Sequence, residues 1–262
     1  MIARLILTGV AWLTLGYLVL PLVVILASSL TASEFLAFPP KGLTLAWYAR
    51  VLADSSYVDA FGTSTILATL ATAIAIGLGL PAVLAIGRYT FPGKAFVAAI
   101  LMSPLLLPHI VLGAALLQFC AAIGIVRTFL ALLIGHVVIV TPFVIRAVLP
   151  LLTPEQRALE EASMDLGANS FATFRFVTFP LVRGGVVSGG LFAFISSWIN
   201  VELSMFNTTA AMTTIPVKLL NHVQYQVDPL IAAVSGITIL AAVAAIIIVD
   251  LTIGIDLLAE PK

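Results

Sequence analysis

The amino-acid sequence predicts an all-α polytopic membrane protein, with six transmembrane helices and a water-facing helix–turn–helix between the fourth and the fifth. Three observations lead there. Hydrophobic residues form 61% of the chain and charged residues only 9%, against roughly 25% charged in soluble domains. The apolar residues gather into six runs, each long enough for the ~20 residues that cross a hydrocarbon core. One long polar stretch, Thr153–Pro180, separates the fourth run from the fifth. No room is left for a separate soluble domain, so residues 1–262 read as a single transmembrane domain. The formal net charge is zero, which points to neither nucleic acid nor an acidic partner. Cys120 is the single cysteine, so an internal disulfide and a cysteine-based metal cluster are excluded.

The first span covers about residues 5–30. Its apolar run exceeds the roughly 7–15 residues of a signal-peptide core. A retained anchor is expected, although Ala27-Ser28-Ser29 imitates a cleavage site. Pro21 lies inside it and is tolerated where neighbours re-satisfy the freed carbonyl. Residues 31–57 form a polar loop with an aromatic pair, Trp47-Tyr48, suited to the headgroup level. Span two, about 59–86, carries Thr69, Ala73 and Gly77 four apart, the pattern of a close-packing face. Span three, about 95–123, is interrupted by Pro104 and Pro108 beside His109, which predicts a bend. Span four, about 128–150, holds His136, read either as a residue of a polar path or as a neutral imidazole bonded to a neighbouring helix.

Span five, about 181–206, offers Gly185, Gly189 and Ala193 as a packing groove. Further along come Trp198, Asn200, Glu202 and Ser204, distributed over two helix faces. Glu202 is the one carboxylate well inside a span, and it is expected to face protein, water or solute rather than lipid. Residues 207–230 form a second polar loop, span six covers about 231–256, and a short tail follows.

The polar stretch carries helix signals throughout. Thr153 is an N-cap, Pro154 takes the first helical position, Glu155 sits in the first turn and Gln156 stands three after the cap. Gly167 is placed to end this helix in the left-handed conformation. Asn169 or Ser170 can cap a second short helix, which Pro180 is expected to terminate. Lys and Arg fix the side of the membrane. With the amino terminus inside, Arg4, Arg88, Lys94, Arg146, Arg157, Arg175, Arg183 and Lys262 fall at cytoplasmic ends, and Lys41, Arg50, Arg127 and Lys218 outside. Eight against four puts both termini and the polar stretch in the cytoplasm.

Glu161-Ala162-Ser163, then Gly167, then Val177-Thr178-Phe179-Pro180 resembles the E-A-A–x3–G–x9–I-x-L-P signature of binding-protein-dependent ABC importer permeases. Ser163 stands where the signature has Ala, and Val177 and Phe179 where it has Ile and Leu. The resemblance implies a multi-pass protein of the bacterial inner membrane. It makes Thr153–Pro180 a coupling segment docked on an ATPase, carried by Glu161, Ala162, Ser163, Asp165, Gly167 and Pro180. The implied partners are two cytoplasmic ATPase subunits, a second permease subunit and an external solute-binding protein. No G-x-x-x-x-G-K-[ST] loop occurs, so ATP is expected on a partner, and this chain itself is expected to hold no cofactor or metal and to be no enzyme.

Thr44–Tyr48, Gly135–Val144, Ile215–Lys218 and Asp228–Ala233 are similar to the spermidine/putrescine branch of that family. In that branch paired carboxylates are expected in the fifth span, where this chain has Ile199 and Asn200. Glu202 alone remains, which suits a polyamine less well than a solute with one amine, such as an amino-acid-like one. The candidate solute path comprises Glu202, Asn200, Ser204, His136 and Trp198. A stand-alone secondary transporter or channel is the competing reading, but it calls for inverted repeats and several buried charges. A membrane enzyme calls for clustered ligands or acid–base groups, and His109, His136 and His222 are far apart in sequence.

Overall fold

A computed structural model describes residues 2–253. Among them the secondary structure is helical throughout, with no strand. The helices are α1 (Ile2–Ser28), α2 (Ala46–Ala53), α3 (Ser55–Arg88), α4 (Lys94–Met102), α5 (His109–Ala122), α6 (Phe129–Val148), α7 (Pro154–Asp165), α8 (Ser170–Thr173), α9 (Phe179–Trp198), α10 (Ser204–Asn207), α11 (Ile215–Tyr225) and α12 (Pro229–Ile253). Four helical stretches are long and apolar enough to cross a bilayer: Ile6–Ser28, Ser55–Arg88, Phe129–Leu151 and Ser170–Trp198. A fifth arises if α4 and α5 count as one span, bent by 106° at the Pro104–Pro108 break. The end of the predicted sixth span, the tail and Lys262 lie outside the described residues.

The described chain forms two compact units, one of residues up to Asp59 together with those from Lys218 onward, the other Ala60–Val217. In the first unit α1 and α2 pack on α12. The predicted headgroup aromatics use their polar tips inside this unit. Trp47 Nε1 donates to the Thr31 carbonyl at 2.9 Å, and the Tyr48 and Ser29 hydroxyls lie 2.6 Å apart. Gly236 of α12 makes room for that phenol, because a Cβ there would stand 2.5 Å from the Tyr48 oxygen. Both residues ride on α2, a helix where a loop was expected. The second predicted loop likewise contains α11.

The second unit is built on α6 and α9. Gly185 and Gly189 let the two backbones touch: a Cβ at 185 would meet the Ala147 carbonyl oxygen at 2.8 Å, and one at 189 would meet Val144 Cα at 2.8 Å. Side chains stack along this seam in two clusters, one of Ala71, Ala75, Ile139, Val140, Val144, Ala193 and Leu203, the other of Leu80, Val83, Ile145, Val148, Val182 and Val186. On α3 the small-residue face is not the one expected. Thr69, Ala73 and Gly77 are exposed, whereas Ala68, Ala71, Ala75 and Gly79 pack inward. A shift of one residue turns a helix by about 100°, and a span apolar on every side gives composition no means to choose between faces.

Two helix ends also depart from expectation. Pro180 does not end a second short helix; it sits in the first turn of α9, which continues α8 through a π turn at Phe174–Thr178. The wider turn accommodates the missing N–H. Span five, expected to run to 206, stops at Trp198 and resumes only as α10. Asn200 causes this, since its Oδ1 accepts from the Leu203 N–H at 2.9 Å, a local bond that competes with the helix. In the purified chain Gly189→Leu is expected to lower stability by about 1–3 kcal/mol through overpacking. Gly77→Ala, with nothing within 4 Å of the new methyl, is expected to leave stability equal or up to about 1 kcal/mol higher. Thermal unfolding in detergent compares the two.

Candidate functional site

The polar segment is an elbow. Thr153 opens α7 by accepting from the Gln156 N–H at 3.4 Å, with Pro154 at the first position. At the far end Gly167 takes φ +93°, its N–H bonds to the Met164 carbonyl at 2.9 Å, and the Ala168 N–H bonds to the Ser163 carbonyl at 3.2 Å. This paired pattern closes a helix on a left-handed glycine. Asn169 then caps α8 by accepting from the Ala172 N–H at 2.8 Å. Ser163, the departure from the alanine signature, puts its hydroxyl 3.3 Å from that of Thr173 across the elbow.

The inward stripe of the elbow is polar, and large apolar side chains stand outward among charged ones. Glu160 is buried, and Gln156 and Ser163 are half-buried on the same stripe of α7. Outward stand Leu159, Met164, Phe171 and, 91% exposed beside the glycine, Leu166. Of the motif residues, Glu161, Ala162, Asp165, Gly167 and Pro180 are exposed and Ser163 is half-buried. Glu161 pairs with Arg157 at 2.9 Å on the surface. The motif therefore drew attention to Glu161, while the carboxylate joined to the body of the protein is its neighbour. Glu160 Oε1 accepts from Arg88 Nη2 and from the Thr178 hydroxyl, both at 2.9 Å. Hydrophobic periodicity could not find this contact, because the face that packs is polar. A cavity of about 290 Å³ adjoins it, lined in part by Arg88, Arg157, Glu161, Ser170 and Phe174.

The second candidate region is the break after α9. His136 of α6 is fully buried, with Nδ1 2.7 Å from the Ser197 hydroxyl and Nε2 3.0 Å from that of Ser204. Ser204 also donates to the Asn200 carbonyl at 2.8 Å. One imidazole thus ties the two sides of the break together. Asn200 Nδ2 lies 3.3 Å from Nδ1 of His109, the first residue of α5, so the break in α9 meets the break between α4 and α5. The structure brings His136, Asn200 and Ser204 into one network. Trp198 stands apart, with Nε1 3.3 Å from the Thr65 hydroxyl and its ring 6.1 Å from that of Phe61, both on α3. Glu202 is not inside a helix, as the sequence suggested. Its side chain is 59% exposed, and His109 Nδ1 is 3.9 Å away. His109 completes this region; proline spacing marked the bend but not the partner.

Glu155 is held below the usual carboxylate range, chiefly by the Thr153 hydroxyl and then by a backbone N–H. Its folded-state pKa is depressed, so its contribution is present at neutral pH and is lost as pH falls through that depressed value. Thr153→Ala is expected to weaken α7 by about 1 kcal/mol and to raise the Glu155 pKa toward the ordinary range. A carbon-13 carboxyl titration reads the second effect directly.

No protein-family model matches the chain. The fold superposes with a TM-score of 0.76, over 96% of this chain and 95% of the other, on a chain from the crystal structure of a bacterial ABC transporter involved in the import of the acidic polysaccharide alginate, at 17% identity. In sequence it is similar to the spermidine/putrescine transport system permease protein PotC of Escherichia coli K12, 29% identical over 94% of this chain and 93% of the relative. It is likewise similar to the putrescine transport system permease protein PotI of the same strain, 31% identical over 88% and 84%. The chain belongs to the family of ABC importer permeases, in its spermidine/putrescine branch. It is a multi-pass permease subunit, and the stand-alone secondary transporter is not favoured.

Proposed function

We propose that this permease spans the bacterial inner membrane six times with both termini in the cytoplasm, residues 1–262 acting as one transmembrane domain. In this reading α12 is the sixth span and the elbow is the handle held by a cytoplasmic ATPase. ATP is bound and hydrolysed by two such partner subunits. A second, different permease chain completes the path, and an external binding protein delivers the solute.

The observation that carries the proposal is the set of large apolar side chains, Leu159, Met164, Leu166 and Phe171, exposed on the elbow. Apolar side chains displayed at the tip of a capped, glycine-turned segment need a partner surface. Burying two large side chains such as Leu166 and Phe171 contributes roughly 3–6 kcal/mol. Swinging a two-state permease from one conformation to the other requires about 5.5 kcal/mol of differential binding. Docking and switching are therefore matched in scale, provided that the closed ATPase pair fits the elbow better in one permease state.

The cargo is a small amine-containing solute, polyamine or amino-acid-like. Glu202 offers its ammonium a carboxylate that is open rather than consumed by a lysine or arginine. Asn200, Ser204 and His136 hold the break that presents Glu202, and Trp198 flanks it on the side of α3.

Affinity-tagged wild-type chain is expected to co-purify its ATPase subunit, and Gly167→Pro to insert normally yet lose ATP-driven uptake. Uptake retained by that variant would remove the elbow from the mechanism. With the whole importer in proteoliposomes, Glu202→Gln is expected to raise KM for putrescine up to about fivefold, the scale of one exposed ion pair. Unchanged kinetics would make Glu202 structural.

A further inference from the structure

We infer that Arg88, Glu160 and Thr178 form a strut that delivers movement of the elbow to α3 and α9 together; this rests on the coupling role proposed above. Arg88 is the last residue of α3, where a cation also complements the helix dipole. Its Nη2 binds Glu160 of α7 at 2.9 Å, and its Nη1 binds the carbonyl of Thr153, the N-cap of the same helix, at 3.2 Å. The Thr178 hydroxyl reaches the same Glu160 oxygen from the end of the π turn. Gly87 brings α3 against the Leu152 side chain beside this contact.

Two features separate this contact from an ordinary surface pair. Its side chains are only 12% and 11% exposed, unlike Arg157–Glu161 at 58% and 56%. A buried ion pair adds little net stability over apolar residues of the same size, but removing one partner is costly, so its use is to fix geometry. The second feature is where it lies. Without it, the path from α7 along the elbow to α9 would rest on the glycine turn, the Ser163–Thr173 hydroxyl contact and the Phe174–Thr178 π turn, the widest and least regular part of that helical path. With it, one carboxylate holds the end of α3, the body of α7 and the end of the π turn. A push on α7 then turns both membrane helices as one body instead of unwinding the π turn. Arg88, Glu160 and Thr178 are positioning residues, touching neither solute nor nucleotide.

The test uses the whole importer in proteoliposomes and reads putrescine imported per ATP hydrolysed, with ATPase retention measured in parallel. Glu160→Gln and Arg88→Lys are expected to lower that ratio by about threefold or more, the range found for residues along coupling networks, while the ATPase subunit stays bound. Thr178→Val, which keeps both charges, is expected to lower it less. Loss of retention in step with the ratio would make the contact a docking support and overturn the inference, as would an unchanged ratio in Glu160→Gln. Should Glu160→Gln fail to fold, unchanged ratios in both Arg88→Lys and Thr178→Val overturn it. A wild-type chain that retains no ATPase defeats the coupling proposal itself; retained ATPase with normal coupling in the variants defeats only the strut.

Discussion

Close contact between α6 and α9 is the constraint on which the rest of the second unit depends. Gly185 and Gly189 remove the side chains that would hold the two backbones apart. Each helix is 20 residues long, about 30 Å at the α-helical rise. At one end α6 runs through a short 3-10 turn into α7, and α9 begins from the π turn that completes the elbow. Towards the other end α6 contributes His136, which holds the two sides of the break after α9. The elbow and the break are therefore attached to the two ends of one packed helix pair. Interiors this dense shift between discrete arrangements more readily than they deform.

Both regions pair the polar groups that carry their geometry, while Arg88 Nε and Gln156 Oε1 at the elbow are buried without a partner. At the elbow, one carboxylate oxygen receives a guanidinium and a hydroxyl. At the break, one imidazole meets two hydroxyls, and one asparagine serves a backbone N–H on one side and lies against His109 on the other. Unpaired groups in such places cost more than paired ones return, so these networks select one geometry more than they stabilise it. The apolar surface, by contrast, is left outward at Leu159, Leu166 and Phe171. That arrangement suits a segment completed by another chain.

The break also bears on cargo. Ile199 and Asn200 leave no paired carboxylates at the positions where the resemblance led us to expect them, and Asn200 is engaged in capping. Glu202 stands open beside His109. A single acid next to an imidazole is a different recognition surface from two acids side by side, because it offers a cationic solute one carboxylate instead of two.

Much of this was legible in the residues themselves. Long apolar runs, the Thr153 and Asn169 caps, the turn at Gly167 and the close approach at Gly185 and Gly189 are local or short-range consequences of side-chain size and backbone freedom, so one-dimensional pattern carries them. Tertiary structure decided which face of α3 packs, where α9 stops, how Pro180 is absorbed, and that Glu160 rather than Glu161 is tied inward. The packed face of α3 and the choice of Glu160 turn on partners distant in the chain, Val144 beside Gly79 and Arg88 joined to Glu160, and the local cap at Asn200 is set against the distant His109. Where every face of a helix is greasy, or the packed face is polar, composition contains no signal for direction. Only the neighbouring helix supplies it.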